Sequence, residues 1–135
     1  MKLHPVWAAM LLYLCTSCDP ASTRLRQFQV QGERLYQENC SNCHQPDGSG
    51  LARLYPPVND PNLLQHADRI VCAIRYGVNG PITIGGKTFD QPMVAVDRLS
   101  DLEIAEIITY MTTTWGGWER ITEPDSVRLM SERCR

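Results

Sequence analysis

A basic excess is missing from this chain: Lys and Arg number 13 against 15 Asp and Glu, for a net charge of -2. With no stripe of positive side chains to track a phosphate backbone, nucleic acid is excluded as a partner. Internal repeats and low-complexity tracts are absent too, and β-branched residues seldom alternate with polar ones. Only three histidines occur, at His4, His44 and His66, which is too few to complete a Ser/His/Asp triad or a His-rich metal cluster. One Cys-x-x-Cys is present, at Cys40 and Cys43, and there is no second. A structural zinc site, which needs four ligands and usually two such pairs, is therefore excluded. What remains is a chain of 135 residues, suited to one domain with a modest core, in which 9 Gly and 9 Pro punctuate short helices and substantial loops. In a fold of that kind a cofactor can substitute for missing core.

The amino terminus has a separate logic. Lys2 and His4 precede an apolar run over residues 6–14 that is too short to span a bilayer, the pattern of a secretory signal peptide. The run leads into Leu14-Cys15-Thr16-Ser17-Cys18-Asp19, which resembles a bacterial lipoprotein cleavage box with Cys15 where Leu is usual. Residues 1–17 are thus expected to be removed and Cys18 to be lipidated, with simple cleavage and release, or retention as an anchor, as alternatives. A glycerolipid carries enough acyl chains for stable anchoring. Each reading places the folded part outside the cytoplasm, on the periplasmic or cell-surface side, with residues 18–27 as a linker that sets its reach.

Export bears on the cysteines, because thiols outside the cytoplasm are usually oxidised, lipidated or attached to something. Cys15 leaves with the signal, Cys18 takes the lipid, and Cys40 and Cys43 belong to a motif, so Cys72 and Cys134 are expected to form a disulfide. The plainer alternative makes Cys72 a small buried residue and Cys134 a free thiol in a frayed tail.

The motif is Cys40-Ser41-Asn42-Cys43-His44. A redox-active Cys-x-x-Cys opens a helix after a strand, and no strand pattern precedes Cys40. Cys-x-x-Cys-His is the attachment sequence of c-type haem, in which the thiols form thioethers with the haem vinyl groups and the imidazole ligates the iron. The second ring nitrogen of such a ligand needs an acceptor. Tyr55-Pro56-Pro57 follows at loop distance, and the Pro56 carbonyl is the candidate.

Several segments together resemble class I cytochrome c, the small monohaem electron-transfer family. GERLYQENCSNCHQPDGSG resembles its amino-terminal helix, haem motif and Gly-rich turn, LYPPV its proline loop, and RLSDLEIAEIITYM its carboxy-terminal helix. IRYGVNGPITIGGKTFDQPM and TWGGWERI resemble a bacterial subgroup in which a Gly-Pro-Ile loop leads to a distal methionine. The resemblance implies an all-α cytochrome c fold of about three to five short helices around one covalent haem c. It places the domain at residues 28–120, followed by a tail over residues 121–135 that the disulfide would tether. It also implies an electron carrier between membrane-associated redox partners, whose donor and acceptor it does not name. A haem-based ligand-binding or sensor module, and a permanent haem subunit of an oxidoreductase, are the alternatives.

The family places its axial methionine shortly before the last helix, where Met93 stands. Met1 and Met10 fall in the signal, Met111 on a core stripe and Met130 in the tail. Here Pro92 precedes Met93, whereas the familiar order is Met followed by Pro. His66 is the rival ligand, in a helix expected over residues 62–76 ahead of Gly77. Ser100-Asp101-Leu102-Glu103 reads as a capping box with Leu99 stapling onto Ile104, and Ile104, Ile107, Ile108 and Met111 recur at helical spacing. By the family's pattern this helix crosses the first one, with Gly32 permitting close approach and Leu35 and Tyr36 turned toward Ile107 and Tyr110; generic helical core is the alternative. Glu123-Pro124-Asp125 starts at most a short helix ending near Met130.

Overall fold

The computed structural model describes residues 19–134, and the expectations for the signal segment and for Cys18 lie outside them. Six helices and one small hairpin follow in chain order. Helix α1 spans Pro20–Asn39, and Asp19 caps it by accepting from the backbone N–H groups of Ala21 and Ser22. Pro20 suits the first helical position, where no N–H is needed. Residues 18–27 were expected to be a linker, but from Pro20 onward they are the first two turns of α1. These turns are almost wholly exposed, so the segment lacks the apolar periodicity by which a helix is recognised.

The one-turn helix α2, Ser41–His44, follows directly. Helix α3 spans Pro61–Leu64 under an Asp60 cap, and α4 spans Ala67–Tyr76. A single helix over residues 62–76 is therefore corrected to two. His66 leaves helical geometry at φ -115°, ψ 65° and occupies the N-cap of α4 without a side-chain cap bond. Strands β1, Ile82–Ile84, and β2, Lys87–Phe89, pair antiparallel in the register Ile82 with Phe89 and Ile84 with Lys87. Gly85 and Gly86, with φ of +55° and +73°, close the two-residue turn and supply the positive dihedrals such a turn needs.

Helix α5, Asp101–Thr114, begins with a complete capping box between Ser100 and Glu103. It crosses α1 so closely that a Cβ on Gly32 would lie 2.0 Å from the Glu106 carbonyl oxygen. At that crossing Tyr36, Tyr110 and Trp115 form a triangle with ring centroids 5.2 to 5.7 Å apart. Helix α6, Pro124–Ser131, packs on both α4 and α5. The tail contributes to the core: Val127 is fully buried, and Ile121, Met130 and Cys134 pack against the same cluster.

Candidate haem site

The end of α1 builds the attachment motif. The Cys40 N–H still donates to the Tyr36 carbonyl at 2.8 Å, and the N–H groups of Cys43 and His44 both donate to the Cys40 carbonyl, at 3.2 and 2.9 Å. This tight turn puts Cys40 and Cys43, three residues apart, on one helical face with His44 beside them. Cys40 and Cys43 are the free cysteines among the described residues. Burial, and then the neighbouring Cys43, push the Cys40 thiol up to about 11. A redox-active Cys-x-x-Cys has a lowered pKa instead, which argues against that chemistry here.

The chain then turns sharply. Gln45 takes φ 65°, and its carbonyl accepts from the Tyr36 hydroxyl at 2.8 Å. The Gly50 N–H donates to the His44 carbonyl at 2.9 Å, and at φ +71° a Cβ on Gly50 would lie 2.4 Å from the Tyr55 oxygen. With the Leu51 N–H donating to Tyr55, this contact sets the position of the following residue, Pro56. The Pro56 carbonyl oxygen lies 2.9 Å from Nδ1 of buried His44. Because a carbonyl can only accept, Nδ1 carries the proton, and Nε2 makes no hydrogen bond among the described residues. Burial lowers the His44 pKa, opposed by the bond to Pro56, so the imidazole is biased toward the neutral form that ligates metal. Two thiols on one helical face, with an oriented neutral imidazole beside them, are a donor set that fits haem c.

Met93 sits on the other side of the sequence, held by its backbone. Its N–H and carbonyl exchange hydrogen bonds of 2.9 Å with Val78 in an isolated antiparallel bridge. Gly77, at φ +72°, allows this approach, since a Cβ there would lie 2.4 Å from the Met93 oxygen. The Val96 N–H donates to Ile74 at 2.7 Å, fastening the same segment to the end of α4. Met93 is half-buried, Met111 is buried in the core, Met130 lines the core, and His66 is exposed. Cys72 and Cys134 are joined by a disulfide across 62 residues of sequence. Sequence reasoning had assigned Tyr36 to packing alone and missed its clamp on Gln45; the signal was that a tyrosine in a core needs a partner for its hydroxyl. It also missed how Gly50 and Gly77 bring backbone close to Pro56 and Met93.

Residues 29–115 match the family model for cytochrome c. Cytochrome c-552 of Thermus thermophilus is 28% identical over 98 residues, which cover 69% of this chain and 74% of that protein. The cytochrome c subunit of the alcohol dehydrogenase (quinone) of Gluconacetobacter polyoxogenes is 30% identical over 105 residues, 73% of this chain but 22% of that subunit. The corresponding subunit of Gluconobacter oxydans is 28% identical over 87 residues, 63% of this chain and 18% of the subunit. The family match runs from within α1 through the end of α5 and takes in Cys40, Cys43, His44 and Met93; the chain belongs to the cytochrome c family, electron carriers with covalently attached haem c.

Proposed function

We propose that Cys40 and Cys43 bind haem c as thioethers, that His44 and Met93 ligate its iron, and that the exported chain, lipidated at Cys18, shuttles single electrons between membrane-associated redox proteins. The observation that carries the site assignment is the 2.9 Å contact of His44 Nδ1 with Pro56, which leaves Nε2 for the iron. Haem c supplies the one-electron couple. The chain's own part is to orient and shield. Pro56 sets the imidazole tautomer and orientation and raises its basicity as a ligand. Tyr36 holds the backbone directly after His44, and the Val78 bridge brings the Met93 backbone to the end of α4. If His44 and Met93 together held the iron, that ligand pair would favour a relatively high potential.

Protein partners are supported by the relatives, two of which are named as subunits of an alcohol dehydrogenase (quinone). That similarity also favours a second reading, in which this chain is a permanent subunit of an oxidoreductase. The anchor is supported by the sequence over residues 6–18, and no helix among the described residues is long and apolar enough to cross a membrane. The test is fractionation of cells expressing the full chain, followed by haem staining on a denaturing gel. Covalent haem should stain in the membrane fraction and move to the soluble fraction, or to unprocessed precursor, in Cys18→Ala. Processed Cys18→Ala protein still on membranes would show that a partner holds it there. Stoichiometric copurification with a dehydrogenase would select the subunit reading.

A further inference from the structure

Helix α1 projects beyond the core at its amino-terminal end. Its first core residue is Phe28, and residues 20–27 are exposed apart from half-buried Leu25. These two turns are nevertheless braced. Arg24 donates two hydrogen bonds to Glu123, at 3.0 and 2.7 Å, and its guanidinium lies 5.2 Å over the Phe28 ring. The segment after α5 runs past the same end, where a cleft of about 360 Å³ is lined by Asp19, Ala21, Ser22, Leu25, Arg120 and Ile121. Next to it, half-buried Trp118 carries the Arg120 guanidinium 4.8 Å over its ring.

We propose that this end of the molecule rests on the lipid bilayer and that α1 is a rigid standoff, where a flexible tether would otherwise set the reach. The inference depends on the reading that Cys18 is acylated. In the sequence only Asp19 separates Cys18 from the first residue of α1, and Asp19 is itself fixed as the cap. One residue gives about 3.5 Å of slack. The 20 residues of α1 then place Cys40 roughly 30 Å further along the helix axis, at 1.5 Å per residue. An anchored chain with that little slack has its near end held at the interface, with the haem motif at the other end of α1.

The chemistry of the near end suits zwitterionic headgroups. Trp118 offers an apolar body with a polar N–H edge, the combination enriched at membrane–water interfaces. Arg24 and Glu123 neutralise each other, and Asp19, Glu119 and Arg120 add both signs, so the face has little net charge. Contact with the bilayer therefore depends on the anchor and on Trp118, with little contribution from attraction to anionic lipid.

The test uses the full-length, haem-loaded, acylated protein in phosphatidylcholine vesicles doped with a phosphatidylcholine that carries a photoactivatable group near its headgroup. Cross-linked peptides are mapped by mass spectrometry. Residues 118–123 are the deciding peptide, because residues 19–25 adjoin the lipid in sequence under any model. We expect cross-links on 118–123 severalfold above those on 34–45, and loss of that preference when a Gly-Ser spacer is inserted between Cys18 and Asp19. Equal labelling of the two peptides with Cys18 acylated overturns the standoff and leaves lipidation standing. Mass spectrometry showing Cys18 without acyl chains overturns the lipidation reading itself.

Discussion

Pro56 contributes only a carbonyl oxygen to His44, and that oxygen decides which imidazole nitrogen is left free to ligate a metal. The same division of labour recurs at Met93, whose placement comes from the Val78 bridge and the bare Cα of Gly77. Because that backbone frame does not depend on the thioether side chain, Met93→Ala should keep its fold and its covalent haem. It should lose the weak long-wavelength absorption band of methionine-ligated ferric haem, and its potential should fall, since methionine ligation raises it. Met111→Leu should keep both signals at a cost under about 1.5 kcal/mol, as a nearly volume-conserving core change. Visible spectra and redox titration of the two variants check this; a band that survives in Met93→Ala would move the ligand to another residue. The attachment motif was legible because three residues in fixed order carry its chemistry. Pro56 was legible as well, because a turn of a few residues between Gly50 and Tyr55 sets it; the placement of Met93 was less so, since it depends on backbone contacts with Gly77 and Val78, more than a dozen residues away.

At the scale of elements, the legible ones have local signals. The capping box and apolar stripe of α5 specify its start and its buried face before any partner is considered. The hairpin had a signal that was passed over: Gly85-Gly86 between two short runs of β-formers is a turn that two paired strands can use. The break between α3 and α4 carries no Gly or Pro, so tertiary contacts decide it. Helix α6 depends even more on its surroundings. Eight residues are too few for an isolated helix, and what holds α6 is the burial of Val127 and the bond from Cys134 to Cys72. Closing a loop across 62 residues is worth about 4 kcal/mol in the chain-entropy model. Cys72→Ser/Cys134→Ser should therefore keep its haem but melt on the order of 10 °C lower. Cys72 lies in α4, whose carbonyl at Ile74 holds Val96, so the variant should also bind cyanide or imidazole faster at the iron. Thermal melts and ligand-binding kinetics measure the two effects, and an unchanged melt would mean that the tail is held by Val127 and its apolar neighbours without the bridge.

For the molecule as a whole, burial is unevenly spread. The cluster drawn from α1, α3, α4, α5 and α6 forms the core, with Tyr36, Val71, Ile104, Ile107 and Ile108 almost completely enclosed. The two long connections are different. Between residues 45 and 60 only Gly48 is fully buried, and between 77 and 98 only Phe89, which lies outside that cluster. These are the segments that present Pro56 and Met93; apart from Val58 and Val96, which pack against the core, their side chains meet little of it, and a bound haem would offer them an apolar surface. Cys40→Ala/Cys43→Ala should abolish the covalent haem band and loosen the two connections first. The α1–α5 crossing and the tethered tail should retain part of their structure, because their contacts are with protein and a disulfide. Hydrogen exchange against the haem-loaded protein distinguishes the cases: protection should fall to the level of an unfolded chain over 45–60 and 77–98, and fall less over residues 28–39 and 104–114. Uniform loss would mean that haem attachment is needed for the helix crossing itself, and protection retained in both connections would mean that they are ordered without it.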